Sequence, residues 1–125
     1  VEKAADVETL GVMTHNGKVF PVSSVLAADD LQDIAVLQVE GKGLAALPVK
    51  AAAPVGSGVY VLGHPDGQFY TFTQGLVSRY MVHNAHGKKG KINRMAITAD
   101  FARSSSGSPV LDQYGRVVGS VSSTR

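Results

Sequence analysis

Short runs of alternating apolar residues, separated by turns that contain glycine, extend along the whole chain. No window longer than about ten residues keeps the 3.6-residue period of an amphipathic helix, whereas valine, threonine and 14 glycines recur throughout. This pattern predicts an all-β protein. The predicted strands cover residues 7–14, 18–27, 33–39, 58–62, 69–82, 92–99, 109–111 and 116–122.

Three turns are predicted between these strands. Asn16-Gly17 predicts a two-residue type I′ hairpin turn, because both residue types tolerate the positive φ that this turn requires. Residues 65–67 and 112–115 contain Asp and Gly in the spacing of further tight turns. These turns separate the predicted strands.

The segment 41–54 is rich in Ala, Gly and Pro and shows little alternation. Such a segment predicts a connection between two β units, and we place the boundary near residue 45. The long strand 69–82 is expected to bend or to bulge at Gly75, since glycine inside a strand is typical of such a site.

Composition excludes several classes of function. The chain has no cysteine, which excludes thiol catalysis, disulfides and thiolate metal sites. The net charge of +2 is small, and the lysines at 88, 89 and 91 lack the aromatic platform of a nucleic-acid site. No stretch approaches the roughly 18 apolar residues of a membrane span. We predict no nucleic-acid partner, no membrane span and no cofactor.

Residues 103–110 form the most informative segment, a loop of small residues that leads into a predicted hairpin. Gly107 after Ser106 would let the backbone turn sharply and leave the serine hydroxyl exposed. Backbone N–H groups in such a turn can converge on one point, as the oxyanion of an acyl-transfer intermediate requires. The alternative is a flexible linker, although the loop lies between two apolar strands.

Four segments together resemble one protein family. Residues 106–110, with the hairpin that follows, are similar to the GNSGGP segment of trypsin-like serine proteases, especially the cysteine-free HtrA-like ones. Residues 33–39 resemble the family's DLALLKV strand, residues 56–65 its G-x-x-V-x-x-x-G-x-P segment, and residues 73–78 its T-x-G-x-V-S strand. The four matches follow the family's order and cover nearly the whole chain.

The resemblance implies a chymotrypsin-like double β-barrel. Residues 1–45 would form a partial N-terminal barrel that carries Asp33, and residues 46–125 a nearly complete C-terminal barrel that carries the serine loop. It also implies a serine endopeptidase that acts on polypeptides, and it favours a secreted or periplasmic location.

The family's catalytic roles can be carried over to matching positions. Ser106 would be the nucleophile, and Asp33 would orient the catalytic imidazole. The N–H groups of Ser104 and Ser106 would form the oxyanion hole. Ser104 replaces a family glycine, which strains the hole if that position needs positive φ. Ser108 replaces the second glycine after the nucleophile, where a small side chain is kept.

The resemblance also implies residues that would bind substrate. Ser122, Ser123 and Thr124 would line one side of the pocket and pair with an extended substrate. Asp100 lies six residues before Ser106, at the position of the acid that selects Lys or Arg in trypsin-like enzymes, although HtrA-like pockets are built differently. Asp33 precedes a nearly continuous apolar run, which predicts that it is buried.

None of the four histidines fits the catalytic position. His15 precedes Asp33, as the family order requires, but it abuts the predicted Asn16-Gly17 turn. His64, His83 and His86 all follow Asp33. His83 and His86 have the spacing of two metal ligands but lack a third, so we predict no metal site.

In the family the histidine precedes the segment similar to residues 5–14. We therefore expect it before Val1, in a missing upstream segment or on a second chain. The second barrel is expected to lack its closing element, and an unpaired edge of that kind favours a partner chain or a homo-oligomer. Two alternatives remain: a protease-like module that binds peptides without cleaving them, and a structural β module whose serine loop has no chemical role.

Overall fold

The computed structural model describes residues 10–63, 70–84, 90–100 and 105–122. Within these ranges the chain forms eight β-strands and no helix. Each strand overlaps one of the eight predicted ones. The strands are β1 Gly11–Met13, β2 Val19–Asp29, β3 Ile34–Val39, β4 Gly58–Gly63, β5 Thr71–Asn84, β6 Lys91–Ile97, β7 Pro109–Asp112 and β8 Val117–Ser120. No helix in this part of the chain has the length and apolar character that a membrane crossing needs.

The chain divides into two compact units, Val1–Ala45 and Ala46–Arg125. The first unit contains an antiparallel sheet in the order β1-β2-β3. The second contains a five-stranded antiparallel sheet in the order β6-β5-β4-β7-β8. The pair β4–β7 joins strands that are distant in the sequence, and this pairing places the strand after the serine loop beside β4, the central strand of the second sheet.

The β1–β2 turn differs from the predicted type. Gly17 has φ of +82°, but Asn16 is not among the residues with positive φ. The Gly17 N–H donates to the Thr14 carbonyl at 2.9 Å, so the turn begins earlier and includes His15. The Asn16 side chain accepts a hydrogen bond from the Thr14 hydroxyl, which stabilises this longer turn. The prediction of a two-residue type I′ turn is therefore wrong.

Small apolar side chains fill the core of the second unit. In β4, Val59 and Val61 point inward and are almost completely buried. Because side chains alternate between the faces of a strand, the neighbouring residues Tyr60 and Leu62 lie on the outer face. Burying a valine side chain contributes about 1.5–2 kcal/mol. The buried core residues are Ala53, Val59, Val61, Val77, Ala99, Val110 and Val121.

Strand β5 changes partner along its length. Its first part pairs with β4 up to Leu76, and from Val77 onward it pairs with β6. A register irregularity lies between Val77 and Arg79, whereas Gly75 pairs regularly with Val59. The predicted bulge at Gly75 is therefore displaced by a few residues.

Gly75 is required for a different reason. A Cβ at this position would overlap the backbone N of Ala99 and lie 2.7 Å from the Ala99 Cα. The segment after β6 therefore crosses β5 at a distance that only glycine permits.

Candidate active site

Ser106 occupies a tight turn between β6 and β7. The Ser108 N–H donates to the Ser105 carbonyl at 3.0 Å, and Gly107 has φ of +88°. A positive φ at the third residue is typical of a type II turn, which places glycine there. Ser106 is the second residue and is exposed. The local sequence therefore presents one hydroxyl at the tip of a hydrogen-bonded turn.

The segment after β8 holds this turn from one side. The Gly107 N–H donates to the Val121 carbonyl at 2.7 Å, and the Val121 N–H donates to the Ser108 carbonyl at 2.9 Å. Val121 itself belongs to the buried core. The turn is thus tied to the core by two backbone hydrogen bonds next to the candidate nucleophile.

The approach to the serine loop is held by β5. The Thr98 N–H donates to the Leu76 carbonyl at 2.9 Å, and the Leu76 N–H donates to the Thr98 hydroxyl at 2.8 Å. The Thr73 hydroxyl donates to the Asp100 carbonyl at 2.6 Å. Asp100 is exposed, so its backbone is held while its side chain remains accessible.

The polar groups of Ser106 are available to a ligand. Neither its N–H nor its hydroxyl makes a hydrogen bond to another described residue. The preceding Ser105 is 1% exposed, so the backbone is buried on one side of Ser106. In this arrangement the hydroxyl can attack a carbonyl carbon. The N–H, which donates to no other described residue, can stabilise the oxyanion that results.

Several predicted site residues lie at the end of a described segment or outside the described residues. Ser122 is half-buried and directly follows Val121. Ser104, Ser123 and Thr124 lie outside the described residues. The structure therefore locates one of the two predicted oxyanion donors and the first of the three residues predicted to line the pocket.

Asp33 ends the turn between β2 and β3 in the first unit. It has φ of +57°, in the left-handed region that Asp adopts more readily than most residues. The Asp29 carboxylate fixes this turn, because its Oδ1 accepts from the N–H groups of Leu31 and Gln32 at 3.0 and 3.1 Å. The backbone at Asp33 is thus strained and locally supported.

The prediction that Asp33 is buried is wrong. Asp33 is exposed, and the residues of β3 alternate between exposed and half-buried. Ile34 and Val36 are 54% and 52% exposed, so the apolar run is not covered on both faces.

The two described histidines do not match the catalytic position. His15 lies in the turn at the opposite end of β2 from Asp33, and β2 has 11 residues. At roughly 3.3 Å per residue, the two ends of such a strand are about 35 Å apart. His83 is exposed in β5, opposite Ile92.

The other histidines, His64 and His86, lie outside the described residues. Within the described ranges no group of three potential metal ligands is present. The predicted pairing of His83 with His86 lies partly outside the described residues.

Comparison with known proteins identifies the family. The sequence model of the trypsin-like peptidase domain matches residues 1–119, which is nearly the whole chain. The chain belongs to the trypsin-like peptidase family. The predicted all-β, chymotrypsin-like fold of this trypsin-like peptidase domain is confirmed by its strands and by solved structures of similar fold.

Similar proteins include HtrA-type proteases. Serine endoprotease DegS of Haemophilus influenzae is 28% identical over 116 residues, which cover 91% of this chain and 34% of DegS. Protease Do-like 5 of Arabidopsis thaliana, a chloroplastic protein, is 33% identical over 101 residues, 76% of this chain and 31% of that protein. The trypsin-like peptidase chain thus spans about a third of the length of these relatives.

A solved structure supports the fold. The active form of the Rv3671c protease of M. tuberculosis superposes with a TM-score of 0.73 at 28% identity. The match covers 89% of this chain and 51% of that protease. The trypsin-like peptidase chain therefore corresponds to about half of that solved chain.

The residues that support the site were not predicted from the sequence. Gly63 was noted only as part of a motif, and Val121 only as part of a strand. Thr73 and Thr98 hold the approach to the loop by contacts between distant segments, which a single sequence does not reveal. Asp29 did carry a local signal, since Asp side chains commonly accept from N–H groups two or three residues on.

Proposed function

We propose that this trypsin-like peptidase domain is the core of a serine endopeptidase with Ser106 as its nucleophile. The observation that carries the proposal is the Ser106 turn, in which Ser106 is exposed, its N–H donates to no other residue that the structure describes, and the adjacent backbone is held by Val121. Family membership supports the same chemistry.

The reaction would proceed through an acyl-enzyme. Ser106 Oγ attacks the carbonyl carbon of a peptide bond while a histidine takes the hydroxyl proton. The tetrahedral intermediate collapses, the C–N bond breaks, and the imidazolium returns its proton to the leaving amine. Water, deprotonated by the same histidine, then hydrolyses the ester and releases Ser106.

Asp33 is proposed to orient that histidine and to stabilise its protonated form. The accessible Asp33 carboxylate and its fixed turn support this role. Because His15 lies at the other end of β2, we propose that the histidine comes from outside these 125 residues, on an upstream segment or on a second chain. The chain alone is then expected to be nearly inactive, because a triad without its base retains only residual catalysis.

The oxyanion hole is proposed to consist of the Ser106 and Ser104 N–H groups. The free Ser106 N–H supports the first donor. An extended polypeptide substrate is proposed to pair with residues 122–124, which follow Val121 in the sequence. Asp100, held by Thr73 and exposed, is proposed to contact the substrate side chain that precedes the cleaved bond. Association of the domain into a homo-oligomer is a further proposal.

A peptide-binding module without catalysis is the second candidate function. The specific observation in its favour is that His15, the described histidine of the first unit, lies at the other end of β2 from Asp33. In that case the turn would bind a peptide carbonyl through the Ser106 N–H without acyl transfer. The two functions differ in whether Ser106 reacts.

Labelling by a fluorophosphonate probe, which modifies activated serines, separates these functions. We expect labelling of a longer polypeptide that includes the upstream residues and little labelling of the 125-residue chain. Ser106→Ala should abolish the labelling, whereas Ser120→Ala, which removes an exposed hydroxyl from β8, should leave it intact. Absence of labelling in a folded longer polypeptide would favour the binding module.

A further inference from the structure

Gly63, the last residue of β4, lies directly against the Ser106 turn. A Cβ built at Gly63 would overlap the Ser108 Oγ, lie 3.2 Å from the Ser108 Cβ and lie 3.8 Å from the Ser105 Oγ. Ser105 and Ser108 are the first and last residues of the turn, joined by their backbone hydrogen bond. One glycine therefore contacts both ends of the segment that presents Ser106.

The contact depends on the size of the two residues and not on backbone strain. The φ of Gly63 does not lie in the left-handed region, so its backbone would accept an alanine. What excludes a methyl group is the space that the Ser108 side chain already occupies. Conversely, the Ser108 side chain fits only because residue 63 has none.

We propose that Gly63 and Ser108 form a size-matched pair that positions Ser106 for reaction. This inference rests on the proposed role of Ser106 as nucleophile. A methyl group at residue 63 would force the Ser108 Oγ to rotate away and the Ser108 Cβ to move by a few tenths of an ångström, and this movement would shift the hydrogen-bonded turn. Displacing a nucleophile by about 1 Å costs on the order of 100-fold in rate. Gly63 and Ser108 are thus positioning residues, since neither needs to touch the substrate.

Three variants test the pair in the longer, labelling-competent polypeptide: Gly63→Ala, Ser108→Gly and the double variant. We expect Gly63→Ala to lower the maximal rate of fluorophosphonate labelling by about 3- to 10-fold. The probe concentration at half-maximal rate should change little, because the change moves the nucleophile and not the binding surface. Ser108→Gly removes the atoms that a new methyl group would meet, so the double variant should label within about threefold of Ser108→Gly.

Unfolding by denaturant is measured in parallel for all four proteins and separates the inference from the proposed function. If Gly63→Ala does not fold, a double variant that folds and labels still supports the pair. The inference is overturned if folded Gly63→Ala labels like the parent, or if the double variant is no better than Gly63→Ala. If the parent itself fails to label, the proposed function fails, and non-additive stabilities of the variants still report whether the two residues are coupled.

Discussion

The Tyr80 hydroxyl is bonded to both backbone polar groups of Ala53. It accepts from the Ala53 N–H at 2.9 Å and donates to the Ala53 carbonyl at 2.5 Å. Ala53 is 3% exposed, so its N–H and carbonyl have little access to water. This one side chain therefore joins the segment that leads into β4 to the middle of β5.

Tyr80→Phe should destabilise the second unit by about 1–3 kcal/mol, because two buried backbone groups lose their partner. The free energy of unfolding by urea measures this loss. Tyr114→Phe is the matched control, since Tyr114 is 71% exposed and its ring, 5.0 Å from the Arg116 guanidinium, is retained. Equal stabilities of the two variants would contradict the role of the Tyr80 hydroxyl.

Gly107→Ala should impair both stability and the reactivity of Ser106. No atom lies within 4 Å of a Cβ at this position, but φ is +88°, and a left-handed conformation costs a non-glycine residue about 1–2 kcal/mol. Rotation of the turn to relieve this strain would move Ser106.

Gly115→Ala provides the matched control for this change. Gly115 has φ of +77° and equally open surroundings, but it lies in the β7–β8 turn. Both variants should lose similar unfolding free energy, and only Gly107→Ala should slow fluorophosphonate labelling. Equal labelling rates would show that the Ser106 turn tolerates the change.

Gly75→Ala should destabilise the second unit by about 3 kcal/mol or more, because the atoms it meets are backbone atoms that cannot rotate away. Gly58→Ala on the paired strand is the control, since its nearest contact is the Tyr60 hydroxyl at 4.0 Å. Chemical denaturation of both variants measures the difference. If Gly75→Ala unfolds like Gly58→Ala, the close crossing of Ala99 is not maintained in solution.

The Asp112 carboxyl should make stability fall in acid. Burial raises its pKa, but hydrogen bonds from the Arg116 and Tyr114 N–H groups and the Arg116 guanidinium, 2.7 Å away, outweigh burial and lower the pKa below 3.8. A lowered folded-state pKa means that the stabilisation is present above the unfolded value and is lost as pH falls through the folded value.

Asp112→Asn should therefore flatten the dependence of unfolding free energy on pH below about 4. Arg116→Gln keeps the backbone N–H donors and removes the ion pair, so its pH dependence should be intermediate. Urea unfolding at several acidic pH values measures both. A wild-type slope that persists in Asp112→Asn would assign the acid sensitivity to other groups.

The strands were predictable because side chains that alternate along a strand indicate which of its two faces is buried. Val59 and Val61 alternate with Tyr60 and Leu62 in the sequence, and the structure buries the valines. The turn type at Asn16 was not predictable from backbone preferences alone, because the Asn16 side chain bonds to Thr14. The exposure of Asp33 was not predicted, because the apolar residues that follow it do not reveal whether other parts of the chain cover them.

The turn at the candidate nucleophile was predictable from Gly107, because glycine readily adopts the positive φ that this turn requires. Its supports were not, because Gly63 and Val121 reach the turn only through the β4–β7 pairing and the segment after β8. Their importance follows from distances between segments that are far apart in the sequence. The catalytic roles of Ser106 and Asp33 stay predictions until Ser106 reactivity is measured.

The dependence of the Ser106 turn on Val121 has a consequence for biosynthesis. A ribosome adds both Gly63 and Ser106 before Val121, and pairing of distant strands is slow compared with local turns. The two hydrogen bonds that fix Gly107 and Ser108 cannot form until β8 has emerged. A nascent chain that has not yet released Val121 therefore carries the candidate nucleophile without the two hydrogen bonds that position its turn.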